Sequence, residues 1–221
     1  MDNDTDNIEV EMIERFVNLK DQKVLEIGCG EGRLSALLAN KPETYIAIDP
    51  DEQSIEKAKS EIPNVKFKIG SGEALEFEDA SFSVILFTLS LHHQDSHLAL
   101  KEAHRVLTET GKLIILEPVA SGELTQFFSL FDDETERLLE TLNVIENCDF
   151  EIKHKEIFST LMTFTDQEEL CDYDFNQDKN LTEDRDRIIK LLYQLKGPMA
   201  ADQPIQLEDD SHIFLLKKRL Q

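Results

Sequence analysis

Apolar and polar positions change period repeatedly along the chain, and the changes mark out alternating strands and helices. Residues Ile8–Leu19 place Ile8, Met12, Ile13, Phe16 and Val17 at helical spacing, the stripe of a core-packing helix or of a lid over a pocket. Val24–Ile27 predicts a short buried strand, which breaks into Gly28-x-Gly30-x-Gly32; a helical pattern with Leu34, Leu37 and Leu38 follows. Thr44–Asp49 predicts a second strand, Asp51 opens a helix with Ile55, Ala58 and Ile62 facing inward, and Val65–Ile69 alternates as a third strand. Val84–Leu89 is the fourth. Ser96–Thr108 reads as a helix, Gly111 as a turn and Lys112–Glu117 as the fifth strand. Gly122–Ile145 is helical with a break near Asp132-Asp133, Phe150–Phe158 is the sixth strand and His212–Lys218 the last. Between those two strands Thr165-x-x-Glu168 is a capping box, and Thr182 caps a helix closed by Gly197-Pro198. Strands alternating with helices predict an open α/β sheet.

Candidate chemistry collects at the carboxyl ends of the predicted strands, where such sheets bind ligands. A strand, a glycine turn and a helix start together aim backbone N–H groups and a positive helix end at a ligand. Glycine supplies positive φ and lets a ligand approach where a Cβ would stand. The dinucleotide fingerprint needs its third glycine at position 33, where Arg33 stands, so a dehydrogenase is disfavoured. Asp49, 21 residues after Gly28, is placed to accept from vicinal ribose hydroxyls; its other reading is a cap near its own strand end. His92 and His93 follow the fourth strand. An imidazole near its usual pKa of ~6.5 can deprotonate a hydroxyl or amine; alternatively one histidine packs while the other caps the next helix. Adjacent histidines on a loop lack a third ligand in sequence, so no metal site is expected. Glu117 either lines the pocket or starts the next loop.

Glu26 stands two residues before the glycines, and the resulting E-x-G-x-G-x-G resembles the first motif of the class I S-adenosylmethionine-dependent methyltransferases. The stretch Gly70–Phe77 is similar to that family's G-D-A-E-x-L-P-F segment, with Ser71 in place of Asp and Glu76 in place of Pro; Ser83 likewise replaces an Asp. KEAHRVLTETGKLIILEP is close to its E-x-x-R-V-L-x-x-G-G-x-L unit, with Thr110 for the first Gly, and the paired histidines resemble those of many small-molecule members. The resemblance covers roughly residues 20–120. It implies a doubly wound, Rossmann-like, seven-stranded and mainly parallel sheet, its last strand antiparallel, with a helical insertion before that strand. It implies S-adenosyl-L-methionine as cofactor, held by Glu26, Gly28, Cys29, Gly30, Gly32, Asp49, Pro50, Ser71, Gly72, Glu73, Thr88 and Leu89. Glu26 would act through the loop on the amino end of the methionine part. The Gly72 N–H would meet the adenine ring, and His92 and His93 would be the catalytic candidates. Because the cofactor brings the electrophile, the protein supplies mainly proximity and alignment.

The chain of 221 residues is expected to form one domain, with a core of 20–158 and 212–221 and a helical insertion or cap at 159–211. Net charge is −23, and the densest basic cluster is Lys217-Lys218-Arg219, so a nucleic-acid partner is not expected. No N-P-P-[YF]-type segment follows the fourth strand, which also favours a small-molecule acceptor whose O, N or C nucleophile is open. Two alternatives remain: a catalytically weak cofactor-binding regulatory or scaffold protein, or a methyltransferase of a basic protein partner. Three cysteines without metal spacing, an acidic N-terminus and no long apolar run fit a cytoplasmic monomer or homodimer without membrane contact.

Overall fold

The structure, a computed structural model, describes residues 2–3, 7–173, 175, 181–197, 200 and 204–219, without the side chains of 2, 3 and 181–183. Its strands are β1 (Asp2–Asn3), β2 (Lys23–Ile27), β3 (Thr44–Asp49), β4 (Lys66–Ile69), β5 (Phe82–Thr88), β6 (Leu107–Pro118), β7 (Phe150–Phe164) and β8 (Ile205–Lys218). They lie in the order β1-β7-β8-β6-β5-β2-β3-β4. The expected seven-stranded Rossmann-like sheet is present, and β1 adds a two-residue strand antiparallel to the end of β7. Pairs β2–β3, β2–β5, β3–β4 and β5–β6 are parallel. Such strands are covered on both faces, which is why β2 and β3 are buried almost end to end.

Two compact units divide the chain. The larger comprises Glu9–Glu117, Leu139–Glu156 and His212–Gln221; the smaller comprises Met1–Ile8, Pro118–Leu138 and Ile157–Ser211. In the larger unit Leu25, Ile46, Ile85, Phe87 and Leu113 meet Ala99 and Ala103 in one core. These two alanines belong to α4 (Ser96–Val106), whose N-cap Asp95 accepts from the Leu98 N–H at 3.0 Å. The other helices of this unit are α2 (Arg33–Leu38) and α3 (Glu52–Glu61), with most of α1 (Ile8–Phe16) and of α6 (Thr135–Asn147). The first helix ends before the predicted Leu19; Val17 and Leu19 are nonetheless buried, in the segment that leads to β2. Asp51 caps α3 as expected, accepting from the N–H of Ser54 at 2.9 Å.

The helix expected to run to Thr108 ends at Val106, and Gly111 lies within β6 rather than in a turn before it. The β5–β6 register shifts between Phe82↔Leu107 and Val84↔Lys112, so the expected turn is an irregularity inside one continuous strand. A Cβ on Gly111 would lie 2.6 Å from Leu107 Cδ1, which is why glycine occupies that bend.

The smaller unit contains α5 (Glu123–Phe128), α7 (Gln167–Asp172) and α8 (Leu181–Lys196) around Phe127, Met162, Phe164, Leu170, Leu192 and Leu207. The segment expected as a helical insertion, 159–211, is strand at both ends, because β7 runs to Phe164 and β8 starts at Ile205. The cap of α7 is Asp166 rather than Thr165: its carboxylate accepts from the Glu169 N–H at 2.9 Å, as the stronger capping residue. Thr182 falls inside α8, with its side chain outside the described residues, as is Pro198. Among the described residues no helix is long and apolar enough to cross a membrane.

Candidate cofactor and active site

Strand order reverses at β2, whose neighbours are β3 on one side and β5 on the other. The loops that follow β2 and β5 therefore flank the switch point, the ligand crevice of an open parallel sheet. In the first of them Gly28, Gly30 and Gly32 all have positive φ, at 76°, 51° and 86°. Their surroundings differ. A Cβ on Gly28 would lie 2.2 Å from Ser90 Cβ, and one on Gly32 would lie 2.8 Å from Ile62 and Phe67. The same position on Gly30 meets nothing within 4 Å. Two glycines thus close the loop against the protein, and the third faces open space.

The loop N–H groups do not face outward as the sequence predicts. Gly28 and Cys29 both donate to the Ile48 carbonyl, at 2.8 and 3.0 Å, and Gly32 donates to Cys29 at 2.9 Å. Gly30 donates to Asp49 Oδ2 at 2.8 Å. The reason is β3, which runs parallel beside β2 and offers the Ile48 carbonyl and the Asp49 carboxylate to the chain as it leaves the sheet. The Cys29 thiol is buried, and burial with the nearby Glu26 and Asp49 carboxylates pushes its pKa up, so it stays an unreactive thiol.

Glu26 lies beneath the loop, 1% exposed. Its carboxylate accepts from Ser35 Oγ, from Tyr45 Oη at 2.8 Å and from Thr88 Oγ1 at 3.1 Å. It thereby joins β2 to α2, β3 and β5. Burial raises its pKa above the ordinary carboxylate value, and the three hydroxyl donors oppose that rise.

Asp49 is half-buried at the end of β3. Oδ2 holds the Gly30 N–H and Oδ1 accepts from the Asp51 N–H at 2.9 Å, so each oxygen carries one backbone donor. Pro50 beside it is exposed. At the end of β4 the Ser71 hydroxyl accepts from the Glu73 N–H at 3.3 Å, while Gly72 donates to Gln94 Oε1 at 3.0 Å. The N–H expected to meet an adenine ring is therefore committed to the protein. The following residues are pinned to α4. Leu75 N–H donates to Glu102 at 3.0 Å, and Arg105 donates to the Leu75 and Phe77 carbonyls at 2.8 and 2.7 Å.

Past β5, Leu89 takes a left-handed φ of 58°, unusual for a branched residue, and turns the chain into Ser90. Leu91–His93 form one 3₁₀ turn. His92 is buried, and its Nδ1 lies 2.5 Å from Glu117 Oε2, whose other oxygen accepts from the Leu91 N–H at 2.9 Å. His93 is exposed and packs its ring on His92 at 3.9 Å between centroids. Glu117 comes from the end of β6, beside β5, and is 1% exposed.

The fold gathers Gly30, Asp49, Thr88 and the histidine turn at the carboxyl ends of adjacent strands, with Ser71–Glu73 one strand beyond Asp49. It places Glu26, Gly28 and Gly32 in the packing beneath. Sequence reading left Glu117 undecided and missed Gln94. A buried acid at a strand end was the available signal for Glu117; for Gln94 there was none.

Residues 25–115 match the family described as a methyltransferase domain. The chain is 34% identical over 94 residues to an uncharacterized methyltransferase of Schizosaccharomyces pombe, a match that covers 42% of this chain and 38% of that protein. It is 30% identical over 136 residues to the ubiquinone/menaquinone biosynthesis C-methyltransferase UbiE of Rickettsia prowazekii, covering 55% of this chain and 54% of the relative. The chain thus spans about half or less of the length of these curated relatives. In fold it is similar to the crystal structure of a putative methyltransferase from Bacillus halodurans, with a TM-score of 0.71 at 19% identity, covering 96% of this chain and 98% of the other. The segment that carries the glycine loop, Asp49 and the histidine turn is thus the part of this chain that matches the methyltransferase-domain family, and the fold as a whole is similar to that of a methyltransferase structure.

Proposed function

We propose that this protein transfers the methyl group of S-adenosylmethionine to a small-molecule acceptor in the cytoplasm. The observation that carries the reading is the pairing of Asp49 with Gly30. Each Asp49 oxygen accepts one backbone N–H and keeps a further acceptor site, which suits two vicinal hydroxyls. Beside it, Gly30 presents backbone to open space, where a ligand can lie closer than any side chain would permit. These residues fit the cofactor. Asp49 would hold its ribose, Cys29 and Gly30 would run along it, and Ser71 to Glu73 would border its base. Glu26 acts one layer down, fixing Ser35, Tyr45 and Thr88.

Bound S-adenosylmethionine supplies an electrophilic methyl group on a sulfonium sulfur. What remains for the chain is to orient an acceptor and to remove its proton when it carries one. In His92, Glu117 engages Nδ1, so a proton on Nδ1 leaves the lone pair on Nε2 and makes that nitrogen the base. Glu117 also stabilises the imidazolium that forms. His93 presents the exposed face of the same turn.

A small acceptor is supported by the net charge of −23, which repels polyphosphate chains. The likeness to a quinone-pathway C-methyltransferase supports the same class at a coarse level. The test is transfer of a labelled methyl group to a panel of phenols, quinols and small amines, by wild type and by His92→Asn. Product from wild type, a turnover loss of about a hundredfold in the variant and cofactor affinity within about threefold of wild type are expected. Full turnover in His92→Asn would remove the base assignment, and no product with any acceptor would contradict the enzyme reading.

A further inference from the structure

We propose that Gln94 is a positioning residue of the cofactor site, holding the tip of the loop after β4 against the turn after β5. The inference rests on the cofactor reading above. The Gln94 carboxamide bridges two loops: Oε1 accepts from the Gly72 N–H at 3.0 Å and Nε2 donates to the Ser90 carbonyl at 3.1 Å. Both contacts sit where there is no slack. A Cβ on Gly72 would lie 2.3 Å from Gln94 Oε1 and 2.9 Å from Ile27 Cγ2. Ser90 in turn fills the place of a Gly28 Cβ, and its hydroxyl donates to the Ile27 carbonyl at 2.6 Å. The loops after β2, β4 and β5 are therefore keyed together around one side chain. A primary amide suits the place because it offers a donor and an acceptor without charge.

The body of the β4 loop is held independently, by Glu102 and Arg105 at Leu75 and by Arg105 at Phe77. A second link, from the Asp95 N–H to Glu73 Oε1 at 2.6 Å, ties the exposed side of the tip. Loss of the Gln94 carboxamide consequently loosens residues 70–73 and leaves the loop body and α4 in place. A loosened tip must be ordered when the cofactor binds, and that ordering entropy lowers affinity.

The experiment is calorimetric titration of S-adenosylhomocysteine into wild type, Gln94→Met and Gln94→Glu, with melting temperatures alongside. Methionine is close in volume and makes neither bond; glutamate keeps an acceptor for the Gly72 N–H. Gln94→Met is expected to bind about tenfold more weakly, and Gln94→Glu, which keeps the Gly72 contact but turns an acceptor on the Ser90 carbonyl, at an affinity between those of Gln94→Met and wild type, with melting temperatures close to that of wild type. Affinity of Gln94→Met within about twofold of wild type, or of Gln94→Glu as low as that of Gln94→Met, would overturn the positioning role. If Gln94→Met fails to fold, Gln94→Asn replaces it: too short to span both partners, it must bind more weakly than Gln94→Glu, and equal binding overturns the role. A folded wild type that binds no cofactor removes the cofactor reading and this inference with it. Binding by wild type with an unaffected variant removes the inference alone.

Discussion

Single residues at the strand ends divide between those packed against the protein and those that face open space, and glycine substitution separates the two. Gly28→Ala must place a methyl group 2.2 Å from Ser90 Cβ at a φ of 76°. Overpacking and left-handed strain together cost about 2–4 kcal/mol. Gly30→Ala meets no neighbour, so its cost is the backbone strain, about 1 kcal/mol. Chemical denaturation should rank the two in that order, while calorimetry should find Gly30→Ala impaired in cofactor binding despite its better stability. Equal stability losses would show that the Ser90 contact is not close. Glu26 supplies a pH signature. Burial raises its folded pKa above the ordinary 4.5, so between those values the folded state binds more protons than the unfolded one. This group therefore favours folding at the acidic end of the window, and the contribution is lost as pH rises through the folded pKa. Glu26→Gln removes that term. Urea unfolding at several pH values above 4.5 should show a smaller fall in stability with pH for the variant than for wild type. An identical dependence would mean that Glu26 titrates alike in both states.

At the scale of elements, α4 does more than cover the sheet. Arg105 donates to the Leu75 and Phe77 carbonyls and pairs with Glu102 and Asp79, so the helix fastens the loop after β4. Arg105→Gln leaves those carbonyls short of donors and should cost about 1–3 kcal/mol. Amide exchange should rise over residues 75–79 more than within β5; uniform exchange across both would contradict the clamp. The pattern of apolar positions made β3 legible to the residue and α3 through its Asp51 cap, because a buried parallel strand and a capped amphipathic helix each carry a local signal. The irregularity at Gly111 was not legible, since a bulge and a turn ask for the same residue. The long outer ends of β7 and β8 were missed where alternation continued past the region the resemblance covers. In the site, the glycines and Asp49 were readable from spacing. The inward commitment of the loop N–H groups and the Gln94 bridge depend on partners from other strands, which no local pattern encodes.

At the scale of the molecule, the matched segment, residues 25–115, lies inside the larger unit. The smaller unit has its own core, in which Phe127, Phe128, Phe131 and Tyr173 gather around Phe175. Conservative physics governs the first part: a parallel sheet with a switch point fixes where a nucleotide-like ligand lies. The carboxyl ends of β2 and β3 are expected to hold S-adenosylmethionine, and calorimetric titration of the cofactor into wild type and Asp49→Ala decides it. Micromolar binding by wild type, weakened at least about tenfold in the variant, is predicted, equivalent to about 1.4 kcal/mol or more at the ribose hydroxyls. Absence of binding to folded wild type, or equal affinity in the two proteins, would contradict it.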